Sequence, residues 1–139
     1  MADKKTPLKW KFKSNVKWPG IFSTSSIVVN GVVYFGSEDT HLYAVDANTG
    51  EEKWKFKTGS YVRSSPAVVD GVVYFGSNDN HLYALDAKTG KEKWKFKTGH
   101  FVSYSSPAVS DGVVYFGSED THLYALDANT GEEKWKFKT

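Results

Sequence analysis

The chain has 139 residues, a net charge of +2 from 18 basic and 16 acidic side chains, and no cysteine. That length fits one compact domain, the interspersed charge excludes a strong field aimed at nucleic acid or a membrane, and the missing thiol excludes disulfides, thiolate metal sites and cysteine nucleophiles. The polar start, MADKKTPLKW, has no apolar signal core, and no apolar run approaches the ~18–20 residues of a membrane span, so the sequence predicts a soluble chain without a signal peptide and leaves its compartment open.

Taken in chain order, the first patterned segment is KWKFK at Lys9–Lys13. A unit then begins that is written three times: Gly31–Thr58, Gly71–Thr98 and Gly112–Thr139, the last two differing at only four positions. The period of 40–41 residues marks stacked supersecondary units, none able to bury its apolar surface alone. We divide the chain into an N-terminal extra strand and linker (1–19) and three units at 20–58, 59–98 and 99–139. Short runs rich in Val, Tyr, Phe and Trp, bounded by Gly, Asp, Asn and Ser, predict strands and no helix. In the second unit the runs are Ser64–Val69, closed by Asp70-Gly71, a dipeptide suited to a two-residue hairpin turn; Val72–Phe75, apolar on both faces and therefore buried on both; His81–Leu85; and Lys93–Lys97. Every link suits an antiparallel hairpin, so each unit is predicted to be a four-stranded meander.

The fourth run alternates strictly, with Trp94 and Phe96 on one face and Lys93, Lys95 and Lys97 on the other. A protected outer edge strand has this pattern. The lysines sit beside Glu51, Glu52, Glu92, Glu132 and Glu133, which favours a solvated edge over a nucleic-acid stripe.

Four-stranded meanders of this length in tandem are the arithmetic of an all-β propeller. Neither a Trp-Asp ending nor a kelch di-glycine is present. What recurs is Ala44, Asp46, Thr49, Gly50 and Trp54; Ala84, Asp86, Thr89, Gly90 and Trp94; and Ala125, Asp127, Thr130, Gly131 and Trp135. This A-x-D-x-x-T-G-x-x-x-W pattern resembles the tryptophan-docking motif of the PQQ-like, quinoprotein-type propellers, and SSPAVVDGVVYFGS and HLYALDA resemble the same repeat. The resemblance covers essentially residues 20–139. It implies that each Trp lies over a neighbouring blade's turn and staples the two, that Gly leaves room for the indole, and that Asp caps turn amides. One departure stands out: where such repeats put Gly between the second and third strands, this chain has Thr40, Asn80 and Thr121, and Thr tolerates a left-handed backbone poorly.

The family's enzymes hold a quinone and a calcium ion in the central channel through unique acidic residues, an Asn and commonly vicinal cysteines, none of which can be placed here. Asp39, Asp79 and Asp120 occur once per unit in one turn, which argues for turn chemistry, and His41, His81 and His122 are held apart by the repeat. No strained G-x-S-x-G turn appears. The sequence therefore predicts no enzyme, no cofactor and no metal.

The positions that break the repeat gather before each first strand, and Tyr61, Arg63, Phe101 and Tyr104 there are candidate interface anchors for a protein partner. Trp10 and Phe12 are candidates for an interface between copies. The leading expectation is a non-catalytic scaffold of near-identical blades, a uniformity that suits recent amplification of one blade or deliberate construction from one. The alternatives are a protein-binding propeller module, as the outer-membrane assembly lipoprotein of this superfamily is, and a fragment of a quinoprotein dehydrogenase. Three blades fall short of the roughly four to eight that close a ring, so a six-blade homodimer is expected. Lys9–Lys13 and Lys134–Lys138 are near-identical and compete to be its closing strand, and the sequence favours the N-terminal one.

Overall fold

The computed structural model describes residues 7–13 and 25–139; the linker expected up to residue 19 and the start of the unit expected from residue 20 lie outside the described residues. The all-β expectation holds. Twelve strands form three separate four-stranded antiparallel sheets, each a meander in chain order. The first blade holds β1 (Ile27–Val29), β2 (Val32–Gly36), β3 (His41–Asp46) and β4 (Glu52–Lys57). The second holds β5 (Ala67–Val69), β6 (Val72–Ser77), β7 (His81–Asp86) and β8 (Glu92–Lys97), and the third holds β9 (Ala108–Ser110), β10 (Val113–Ser118), β11 (His122–Asp127) and β12 (Glu133–Lys138). The short first strands β1, β5 and β9 neighbour one another and form the inner side of the array. Among the described residues there is no helix.

Local chemistry accounts for the turns. Asp70 and Gly71 have φ of 50° and 74°, the pair of left-handed residues that a two-residue hairpin matching strand twist requires. The first strand of the second blade begins at Ala67, not at Ser64 as its run suggested. Pro66 has no N–H to give to a ladder, and Ser64 spends its hydroxyl on the Ser105 carbonyl of the next blade at 2.6 Å. Thr40 and Thr121 adopt φ of 77° and 73°, with Asn80 at 71°, so the turn keeps the glycine-type conformation without the glycine.

Between blades the apolar faces meet in two clusters, one joining Tyr34, Leu42 and Val62 to Val73, Phe75 and Leu85, the other joining Tyr74, Leu82 and Val102 to Val114, Phe116 and Leu126. Burial of the fourth strands is greatest in the second blade and is lost in the third. Trp94 is 8% exposed, whereas Trp135 is 46% and Phe137 62% exposed, because β12 has no blade beyond it.

Candidate functional site

The recurring constellation is the junction between one blade's fourth strand and the next blade's outer turn. The turn is built first. In the second blade, Asp86 Oδ1 accepts the amides of Lys88 and Thr89, both at 2.9 Å, and Thr89 Oγ1 accepts the Lys91 amide at 3.2 Å. Ala87 N–H donates to Gly71 O at 2.9 Å, which ties the turn back to its own blade. Asp46 and Asp127 do the same in their blades. The Thr49, Thr89 and Thr130 amides, foremost among several donors, hold the Asp46, Asp86 and Asp127 carboxyls below the usual carboxylate range.

The indole comes from the preceding blade. Trp54 Nε1 donates to Ala87 O at 3.0 Å and Trp94 Nε1 to Ala128 O at 3.0 Å. Under each indole sits a glycine with positive φ. A Cβ on Gly90 would stand 2.6 Å from Trp54, and one on Gly131 2.6 Å from Trp94. Glycine is required here twice over, for the left-handed backbone and for the space. Beside the indole, Phe56 meets the stacked pair Phe75 and Tyr83 edge-on, and Phe96 meets Phe116 and Tyr124 in the same way.

The N-terminal segment reproduces this junction on the first blade. Trp10 Nε1 donates to Ala47 O at 2.9 Å, a Cβ on Gly50 would stand 2.6 Å from Trp10, and Phe12 contacts Phe35 and Tyr43 edge-on. Residues 7–13 form no strand ladder. Trp135, at the equivalent place in the third blade, packs beside Tyr115 of its own sheet and, among the described residues, donates to no turn carbonyl.

The remaining candidates scatter. The Arg63 guanidinium lies 4.7 Å from the centre of the Tyr61 ring and reaches Glu38 at 3.1 Å. Phe101 lies against His100, and Tyr104 is exposed with φ of 53°. Sequence reasoning missed what lies between these aromatics: Val62 and Val102 are buried, pressed on Gly36 and Gly76 so closely that a Cβ there would meet them at 2.6 Å and 2.3 Å. Their signal was the invariant place of Gly36 and Gly76 within the second strand, where a glycine marks a close approach.

The aspartates of the second turn are occupied. Asp39, Asp79 and Asp120 accept hydrogen bonds from the hydroxyls of Tyr43, Tyr83 and Tyr124 and the amides of His41, His81 and His122. Asp79 also accepts the Gly59 amide at 3.0 Å and Asp120 the Gly99 amide at 2.8 Å, pinning the linker between blades. Burial first, and then the bond to aspartate, push the Tyr43, Tyr83 and Tyr124 phenols above their ordinary range. Burial of Asp120 opposes its ionisation, yet the Tyr124, Gly99 and His122 donors together outweigh it and hold the carboxyl low. Among the described residues no group of three or more His, Asp or Glu could hold a metal ion, and no helix is long and apolar enough to cross a membrane.

Tandem four-stranded meanders joined face to face define a repeat protein built of propeller-type blades. The chain belongs to the PQQ-like repeat family described as outer membrane protein assembly factor BamB, whose model matches residues 6–139. In sequence it is 38% identical over 60 residues to the quinoprotein alcohol dehydrogenase PedE of Pseudomonas putida, a match that takes in 42% of this chain and 9% of that protein. In structure it resembles BamB from Moraxella catarrhalis with a TM-score of 0.72 at 24% identity, over 84% of this chain and 36% of that one. It also resembles a quinohemoprotein alcohol dehydrogenase from Pseudomonas putida HK5, with a TM-score of 0.70 at 31% identity, over 84% of this chain and 20% of that one. The 139 residues therefore span a small part of the proteins they match.

Proposed function

We propose that the chain is a non-catalytic propeller scaffold that assembles with itself, its tryptophans acting as staples between successive blades. The observation that carries this reading is the unequal fate of three equivalent side chains: Trp54 and Trp94 are seated on a following turn, and Trp135 is 46% exposed. With Phe137 at 62% and Leu123 at 37% exposed, the third blade presents an apolar face of the kind that marks an interaction surface. Two copies supply six blades, within the roughly four to eight that close, and two equivalent junctions end the growth. Light scattering tests it: a mass near twice the 15.6 kDa of one chain supports the ring, and a well-behaved monomer at all concentrations refutes it.

A second reading, a piece of a quinoprotein propeller, draws on the matched dehydrogenases. Against it stands the chemistry of the described acids. Asp39, Asp79 and Asp120 each spend their oxygens on one or two amides and a phenol, and among the described residues no group of three or more acids and histidines converges to hold a cation. The described residues do not fit that cofactor. Retention of a quinone after purification with calcium is the result that would favour this reading.

A further inference from the structure

We infer that residues 7–13 are an intramolecular cap on the free face of the first blade, and that a second copy of the chain evicts it. In the ring, Trp135 and Phe137 of one copy take the seat on Gly50, Phe35 and Tyr43 of the other that Trp10 and Phe12 hold within a single chain. This rests on the self-assembling reading above and adds to it which segment closes the junction and which one gives way.

The seat is one site with two claimants. Trp10 makes the same hydrogen bond, to Ala47 O at 2.9 Å, that Trp54 and Trp94 make to Ala87 O and Ala128 O at 3.0 Å. The space over Gly50 is filled as the space over Gly90 and Gly131 is, with 2.6 Å to the indole in all three. A partner's Trp135 therefore cannot be seated while Trp10 stays. The complementary face is unfilled by the described residues: a Cβ on Gly117 would meet none of them within 4 Å, where Gly36 and Gly76 have Val62 and Val102 against them.

Two exchanges could clear the clash, and the structure distinguishes them. The partner's β12 could peel away and leave its place on β11 to Lys9–Lys13. That strand is paired with β11 from His122–Lys138 to Leu126–Glu133. It also closes the hairpin whose turn supplies Ala128 O and Gly131, the seat of Trp94. Peeling it would loosen the junction between the second and third blades. Among the described residues, 7–13 have no ladder to lose; they hold on by the Trp10 and Lys9 hydrogen bonds and the Trp10 and Phe12 contacts, and Trp135 and Phe137 restore the aromatic part of these. The N-terminal segment is the element that leaves. This reverses the preference drawn from sequence alone, which could not see that the C-terminal hairpin serves two blades.

The dimer dissociation constants of the full chain, Trp10→Ala/Phe12→Ala and Trp135→Ala/Phe137→Ala test this by sedimentation, with the infrared amide band confirming the fold of each. Removing the cap raises the fraction of chains competent to dimerise, so the first variant should bind itself roughly tenfold or more tightly. The second should remain monomeric. On the unaltered chain, trypsin should cut at Lys11 and Lys13 faster as protein concentration rises and the cap is released. The inference is overturned, with the ring reading intact, if the Trp10/Phe12 variant loses the dimer while the Trp135/Phe137 variant keeps it, or if dimerisation protects Lys11 and Lys13 from trypsin. If the full chain and both variants stay monomeric at every concentration, the ring reading itself fails.

Discussion

At the scale of single residues, one side-chain type in one register has three different environments, and stability should follow the environment. Trp94 is buried, bonded to Ala128 O and packed over Gly131. Its truncation to Ala removes a large buried side chain and its bond to Ala128 O, leaving that carbonyl only the Tyr74 hydroxyl at 3.4 Å, which should cost about 3–5 kcal/mol in a thermal or denaturant melt. Trp135→Ala at a concentration where the chain is monomeric should cost under about 1 kcal/mol, as expected for a half-exposed position. Thr40 and Thr121 make the opposite prediction. Each holds a β-branched side chain at positive φ, a conformation that costs a residue with a Cβ roughly 1–2 kcal/mol. Thr40→Gly and Thr121→Gly should each raise stability by about 0.5–1 kcal/mol after the entropy of the added glycine is counted, seen as a higher thermal midpoint. The sequence exposed this departure from the family pattern. It could not tell whether the turn would change type or hold its conformation against Thr, because that depends on Thr58, whose amide and hydroxyl both bond the Thr40 carbonyl.

At the scale of elements, the hairpins were readable because each carries its own instruction. Strict alternation in β8, left-handed pairs at Asn30-Gly31 and Asp70-Gly71, and the Asp-x-x-Thr-Gly turn each specify a local geometry that no distant contact overrides. The linkers were not readable. Val62 and Val102 sit in segments without periodicity, and only the approach of Gly36 and Gly76 from a neighbouring strand makes them core. Nor could the sequence tell that Lys9–Lys13, with the sequence of a strand, would keep its side-chain seat and form no ladder. The outer hairpins also contribute acid sensitivity, alongside Asp120. Asp46, Asp86 and Asp127 have folded values depressed below their unfolded ones by turn amides, so their contribution is present above about pH 4 and is lost as pH falls through the folded values. Thermal midpoints measured from neutral pH to pH 2 should fall below about pH 4. The triple Asp→Asn variant at 46, 86 and 127 should flatten that slope. The buried phenols of Tyr43, Tyr83 and Tyr124 act with the opposite sign: raised in the fold, they support it below about pH 10 and undermine it as pH rises further.

At the scale of the whole molecule, the repeat makes every junction a copy of the others, and the array has a direction. Each outer turn is held by its own blade but seats an indole from the blade before it: Ala128 and Gly131 receive Trp94, and Ala87 and Gly90 receive Trp54. Support thus runs from the C-terminal end towards the N-terminal one. If the third blade frays, Trp94 loses its seat and the second blade loosens; if the first blade frays, the seats of Trp54 and Trp94 remain intact. Unravelling should therefore have a polarity that the near-identity of the blades conceals. Hydrogen exchange on the monomer should release the β11–β12 amides first and those of β6 and β7 after them. A molecule that repeats itself almost letter for letter would then come apart from a preferred end, as a row of tiles lifts only from the side where the last one overlaps nothing.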